Sequence, residues 1–233
     1  MVGELYQEKE WIPKTSLGRK VLNGEITSLD EILASGKKIL EPQIIDFLLK
    51  GQTKEEVLEV TSTQRMSGSG RKQLMRAVVL LGSSGFISVG VGKAFESRDA
   101  IEEAILDAKK HLVKVNLGCG SWECGCGLPH SLPQQARGSN GSTKILIKPA
   151  PRGVGIVAGE ITKKVLEFAG VKDAWTFSRG RTRNILNTVL ATINALDSLN
   201  HSKKGKKNSE NKSETERETK SGTKSEIKSE MKS

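Results

Sequence analysis

The sequence predicts an α+β chain: a small domain of three strands and one long helix, then a β-α-β-α domain. Arg76–Gly82 (RAVVLLG) and Phe86–Val91 (FISVGV) are β-branched runs separated by Ser83-Ser84-Gly85, a link as short and glycine-containing as a hairpin needs. From Ser97 onward, apolar residues recur at Ile101, Ala104, Ile105, Ala108 and Leu112, the spacing of one helix face. Beyond residue 142, strand-like and helix-like stretches alternate.

In chain order, residues 1–57 read as an N-terminal extension with short helices. Residues 1–23 look extended, with Trp11, Ile12 and Pro13 as an anchor. Ser28-Leu-Asp-Glu31 is a capping-box pattern opening a short helix that Gly36 can close. Pro42 at a first-turn position, followed by Ile44, Ile45, Phe47, Leu48 and Leu49, opens a second helix expected to end at Gly51.

Residues 58–118 form the first domain: a strand at Glu59–Ser62, the hairpin above, and the helix. Gly90 and Gly92 are expected to bring the chain out of the sheet. Asp99, Glu102 and Glu103 open the helix while Lys109, Lys110 and Lys114 close it, each sign complementing the helix dipole. Residues 119–142 are a Cys/Gly-rich junction. Residues 143–200 hold a strand at Thr143–Lys148, the segment PAPRGVGIVAG, and a helix with Ile161, Val165, Leu166 and Phe168. A strand at Ala174–Phe177 and a helix over Arg183–Leu199 complete it. Residues 201–233, dominated by Lys, Ser and Glu, are expected to be disordered.

The net charge of +10 is unevenly placed. Residues 1–59 carry eight Lys/Arg against eleven Asp/Glu, whereas residues 60–118 carry nine against five and residues 119–200 ten against five. The excess cations therefore sit on the two folded regions and the tail, which suits a polyanion. No apolar run approaches the roughly 20 residues of a membrane span, and the acidic N-terminus is unlike a signal peptide. Three cysteines between Cys119 and Cys126 do not make a secretory disulfide framework. The chain is expected to be intracellular, with no membrane partner.

The most telling stretch is Gln64–Lys72, QRMSGSGRK. Ser67, Gly68, Ser69 and Gly70 predict a mobile loop, and Arg65, Arg71 and Lys72 give it charge with no nearby carboxylate. Such a loop suits a phosphate backbone, although a solvated hairpin tip has the same composition. Arg179-Gly-Arg181-Thr-Arg183 places three guanidinium groups at the expected start of the last helix, where they oppose its dipole and call for an anion. Phosphate or an acidic protein surface would both serve. Lys93 and Arg152 are further candidate phosphate contacts.

Cys119, Cys124, Cys126 and His130 have the donor chemistry of tetrahedral zinc, although C-x4-C-x-C-x3-H is not a standard finger spacing. Small buried cysteines in a glycine-rich turn remain the alternative. Gly153, Gly155 and Gly159 precede a helix and invite a phosphate-loop reading, hence a small-molecule kinase. The GxGxxxG spacing and the missing Lys-Ser/Thr pair speak against it. No Ser/His/Asp pattern or paired carboxylates emerge around His111, His130 or His201, and a nucleophilic Cys124 or Cys126 would need a lowered thiol pKa for which nothing local argues. The chain is expected not to be an enzyme.

The segments WIPKTSLGRKV, ITSLDEIL, LEPQIIDFLL, QRMSGSGRK, FISVGVGKA, GCGSWECGCGLPHSLP and PAPRGVGIVAG, in this order, resemble the universal fifth protein of the small ribosomal subunit in its archaeal form. The resemblance covers roughly Trp11 to Leu196. It implies a first domain similar to a double-stranded-RNA-binding fold, and a second with the βαβ fold shared by several ATP-using families. It further implies a ribosome-bound cytoplasmic protein that contacts ribosomal RNA through Gln64–Lys72. Such a protein lies near the path by which messenger RNA enters, touches the fourth and eighth small-subunit proteins, and supports translational accuracy. Family members are structural and need no cofactor beyond any structural zinc. The chain departs from the family pattern at Met75, at Ser83, and over Gly138–Gly141, where relatives often carry a cysteine.

Overall fold

Thr15 starts a helix where the sequence suggested extended chain. In a computed structural model, which describes residues 11–49, 52–83 and 85–201, its hydroxyl accepts the Gly18 N–H at 3.0 Å and caps α1 (Ser16–Leu22). Seven residues burying only Leu17, Gly18 and Val21 are too few to display a helical period, which is why the pattern was not visible. The expected anchor holds at Trp11, whose indole N–H donates to Glu41 Oε2 at 3.1 Å, but Ile12 is exposed. Helix α2 (Leu29–Ala34) begins where the capping box placed it. The Ser28 hydroxyl, however, makes no capping bond. Helix α3 (Gln43–Leu49) follows Pro42, and its expected end at Gly51 lies outside the described residues. Leu17, Val21, Ile32, Ile44 and Ile45 bury themselves against Leu81 and Leu112. Each fully buried aliphatic side chain contributes about 1.5–3 kcal/mol.

The first sheet is antiparallel, in the order β1 (Lys54–Ser67), β2 (Gly70–Ser83), β3 (Phe86–Ala94), β4 (Val113–Lys114), with α4 (Ser97–Lys110) on one face. Both hairpin strands are far longer than the expected Glu59–Ser62 and Arg76–Gly82. Gly90 and Gly92 do not end β3; they lie within it. A Cβ on Gly90 would fall 2.0 Å from the Ala104 carbonyl oxygen, and one on Gly92 would fall 2.1 Å from that of Ala100. The two glycines let the α4 backbone lie directly on the strand, and Ala100, Ala104 and Ala108 meet them from the helix. Phe86 is half-buried against the N-terminal cluster.

The second sheet runs β5 (Ala136–Asn140), β6 (Thr143–Pro149), β8 (Ala174–Arg179), β7 (Ile156–Val157), with β7 parallel to β8. Helices α5 (Glu160–Phe168) and α6 (Ile185–Asn200) cover one face. Strand β5 comes from the end of the segment read as a junction. Its composition, ARGSN, has no apolar alternation, and Gly138 is there because α6 crosses it: a Cβ would sit 2.1 Å from Ala191 O. Helix α6 starts at Ile185 rather than Arg183, since Asn184 is its cap and accepts the Asn187 N–H at 3.4 Å.

The two halves share one apolar core. Val78, Leu80, Ile87 and Val89 from the first sheet join Ile145, Ile147, Leu166, Val189 and Leu196 from the second half. The first sheet is thus covered by α4 on one face and by the second half on the other. Among the described residues, no helix is long and apolar enough to cross a membrane.

Candidate nucleic-acid interface and metal centre

The stretch Gln64–Lys72 is a β-ribbon, not the loop its glycines suggested. Pairing of β2 with β3 stops at Met75, while β1 and β2 continue as a pair through Arg65↔Lys72 and Met66↔Arg71 to Ser67↔Gly70. Only Gly68 and Ser69 form the turn, and the Ser67 hydroxyl closes it by donating to the Gly70 carbonyl at 2.8 Å. Four or five residue pairs beyond the sheet give a projection of about 15 Å. Composition misled here because serine and glycine mark the tip, whereas the ladder is set by continuation of two strands already in register.

The register has an electrostatic consequence. Residues directly opposite share a face, so Arg65 and Lys72 face the same way with like charges side by side, which costs a few tenths to about 1 kcal/mol. Among the described residues, Arg65, Arg71 and Lys72 have no acidic partner within salt-bridge distance. An anion laid along the ribbon relieves that repulsion.

The same face continues inward. Lys72, Leu74 and Arg76 are spaced by two along β2, and Arg76 lies opposite Lys93 on β3. Arg76 reaches Glu59 at 3.8 Å, and its buried Nε has no hydrogen-bond partner. Arg76 also lines a cleft of about 490 Å³ with Arg181 and Arg183, which precede α6. The structure therefore gathers Arg65, Lys72, Lys93, Arg181 and Arg183 into one track and adds Arg76, which the sequence reading missed. The signal was its even spacing from Lys72 along a strand. Arg179 and Arg152 are elsewhere: Arg179 lies on the open face of the second sheet, and Arg152 beside the cysteines.

Cys119, Cys124, Cys126 and His130 do converge, with their four donor atoms all within 4.8 Å of one another. Cys124 Sγ lies 3.2 Å from Cys126 Sγ and 3.7 Å from His130 Nε2, and Cys126 Sγ lies 3.6 Å from Cys119 Sγ. Donors around tetrahedral zinc stand roughly 3.5–3.8 Å apart, given Zn–S of about 2.3 Å. The 3.6 and 3.7 Å pairs lie in that range and the 3.2 Å Cys124–Cys126 pair would have to open slightly, so the donor set suits that ion after a small adjustment. No fourth thiolate is needed, because His130 completes the set. Its Nδ1 bonds Asp173 Oδ2 at 2.8 Å, which directs Nε2 at the sulfurs.

Asp173 also explains the glycine segment. Its Oδ1 accepts the N–H groups of Gly153 (3.1 Å) and Gly155 (2.8 Å), both at positive φ. The turn that could have held a phosphate is filled by the protein's own carboxylate. Burial pushes the Asp173 pKa up, but these N–H groups and His130 outweigh it and hold the carboxyl below its usual range. Cys124 is lowered to about 6, chiefly by the backbone N–H of Arg152 and then that of Cys126. Cys119 is raised by burial and by the neighbouring thiols. The largest contribution to the lowered Cys124 thiol has no local signal, because the Arg152 N–H comes from 28 residues away. Three sulfurs and an imidazole this close together could hold a metal ion.

Comparison with known proteins agrees with both halves of this architecture. Residues 53–116 match the family model for the ribosomal protein S5 N-terminal domain, and residues 138–209 match that for its C-terminal domain. A small ribosomal subunit protein uS5 of Methanoregula boonei is 51% identical over 201 residues, 86% of this chain and 98% of the relative. Those of Methanospirillum hungatei (49% over 201 residues; 86% and 98%) and Methanocaldococcus jannaschii (51% over 195; 83% and 89%) are similarly related.

Proposed function

The chain belongs to the ribosomal protein S5 family, a family of structural and not catalytic proteins of the small ribosomal subunit, and on that premise we propose that it grips ribosomal RNA with the β1–β2 ribbon. The observation carrying this is the cross-strand pair Arg65↔Lys72, continued by Lys93, Arg76, Arg181 and Arg183 on one face. Fixed cations on a two-stranded projection neutralise phosphates, while the shared core behind them sets the height and angle of the ribbon. In this reading the protein works in the cytoplasm on the ribosome. It lies near the path by which messenger RNA enters, beside the fourth and eighth small-subunit proteins, and supports accurate decoding.

The Cys119–Cys124–Cys126–His130 set holds a structural zinc in the same proposal. Support comes from the mutual spacing of the donors and from Asp173 behind His130. When bound, the ion would cross-link the strand-poor segment 119–130. Asp173 couples that segment to the Gly153–Gly155 turn. The kinase alternative has no support, since Asp173 occupies the turn N–H groups that a nucleotide phosphate would need.

The test is RNA binding by full-length protein across a salt series. Replacing Arg65, Arg71 and Lys72 together with glutamine should lower the slope of log affinity against log salt by about 2–3 on double-stranded ribosomal RNA fragments. The same variant should be lost from small subunits at lower salt than the parent in cosedimentation. An unchanged slope rules the ribbon out as the contact.

A further inference from the structure

We infer that the open face of the second sheet is a separate RNA surface, one that takes unpaired bases; this rests on the reading that the chain binds ribosomal RNA. Strands β5, β6, β7 and β8 (ARGSN, TKILIKP, IV and AWTFSR) contain no Asp or Glu. Alternation sends Ile145 and Ile147 into the core beneath the helices, and sends Lys144, Leu146 and Lys148 the other way. Register places Arg179 opposite Lys144, Phe177 opposite Leu146, and Arg137 on the far side of Leu146. The result is an exposed aromatic ring beside an aliphatic patch, with Arg137, Lys144, Lys148 and Arg179 around it in an open groove. None of these four cations is ion-paired among the described residues.

Phe177 is 55% exposed on the part of β8 that runs beyond its pairing with β7, with Leu146 of β6 as its one cross-strand neighbour. The Lys148 ammonium lies 5.2 Å from its ring centroid, a cation–π contact that holds the charge over the ring. A base stacking on Phe177 displaces that ammonium toward the adjoining phosphate, which the flexible lysine stem can reach. Flat aromatic faces with flanking cations suit single strands, because bases within an A-form helix are stacked on each other and cannot reach the ring. The uniform positive charge favours a polyanion over an ordinary protein surface of mixed sign. This face is separate from the ribbon track, so the protein would hold two RNA elements at once.

The experiment measures binding of full-length protein to fluorescein-labelled dodecauridylate, to a 12-base-pair RNA duplex, and to oligoglutamate. Phe177 is exposed, so its variants should fold as the parent does. Phe177→Ala and Phe177→Leu should each weaken dodecauridylate binding about tenfold or more, with the salt slope unchanged and duplex binding intact. Lys144→Gln with Lys148→Gln should lower the single-strand salt slope by about 1.4. The ribbon variant should do the reverse, losing duplex while keeping dodecauridylate; failure of that variant alone would count against the ribbon, not the sheet. Parental affinity in both Phe177 variants overturns the inference. So does tolerance of Phe177→Leu but not Phe177→Ala, which would mark an apolar contact, or capture of oligoglutamate in preference to dodecauridylate.

Discussion

Gly90→Ala is a small change that should have a large effect. The added methyl would sit 2.0 Å from the Ala104 carbonyl oxygen and 2.4 Å from the Ala108 nitrogen. Both are helix backbone, which cannot swing aside as a side chain can. Reaching ordinary contact near 3.4 Å requires α4 to retreat by about 1.4 Å, and a gap of even 0.5–1 Å forfeits a quarter to a half of each dispersion contact along the interface. Overpacking of this kind costs about 1–3 kcal/mol, and the rigidity of both neighbours puts Gly90 at the upper end. Alanine recovers about 0.5–1 kcal/mol by restricting the unfolded chain, which leaves a net loss of about 2 kcal/mol. Urea unfolding followed by circular dichroism, with a slope of about 2–3 kcal/mol per molar, should show the midpoint falling by nearly 1 M. Gly68→Ala is the control, since nothing lies within 4 Å of a Cβ there, and it should be neutral or slightly stabilising. A Gly90→Ala midpoint within about 0.2 M of the control would refute the close-approach argument.

Two further outcomes are expected. Glu41 accepts the Trp11 indole N–H and the backbone N–H groups of Lys14 and Thr15; burial raises its pKa, but these bonds outweigh burial and lower it overall. A depressed carboxylate stabilises the fold above its unfolded pKa of about 4.3, and that stability fades as pH falls through the lower folded value. The urea midpoints of parent and Glu41→Gln should therefore differ by a constant amount from pH 7 to 5 and converge below about pH 4, with Trp11 fluorescence as readout. Asp173→Asn removes the carboxylate that orients His130, so zinc affinity in a competitive chelator titration should fall about 10–100-fold, from a parent holding one ion per chain. Equal affinity in the two proteins would remove Asp173 from the metal site.

Cross-strand and helical periodicities are local, so β2, β3, α4 and α6 were visible from spacing alone, as was the charge of the ribbon. The cysteines and His130 were also visible, lying within twelve residues of one another. Their partner was not: Asp173 is 43 residues from His130, and an isolated aspartate carries no pattern. Arg76 looked like the edge of an apolar strand until the fold set it beside Arg181 and Arg183. Arg179 was grouped with those two by sequence, yet Gly180, at φ +92, turns the chain between them, and Arg179 remains on the sheet.

The sequence by itself determined where the longer periodic strands and helices β2, β3, α4 and α6 form and where cations concentrate, because backbone propensity and side-chain period act over a few residues. Only the tertiary structure decided what Gly90, Gly92 and Gly138 are for, that Gln64–Lys72 is a ribbon, and that two expected domains share one core. Those depend on which helix backbone lies across which strand, and on groups brought within a few ångströms from opposite ends of the chain, neither of which leaves a periodic trace in the residues concerned.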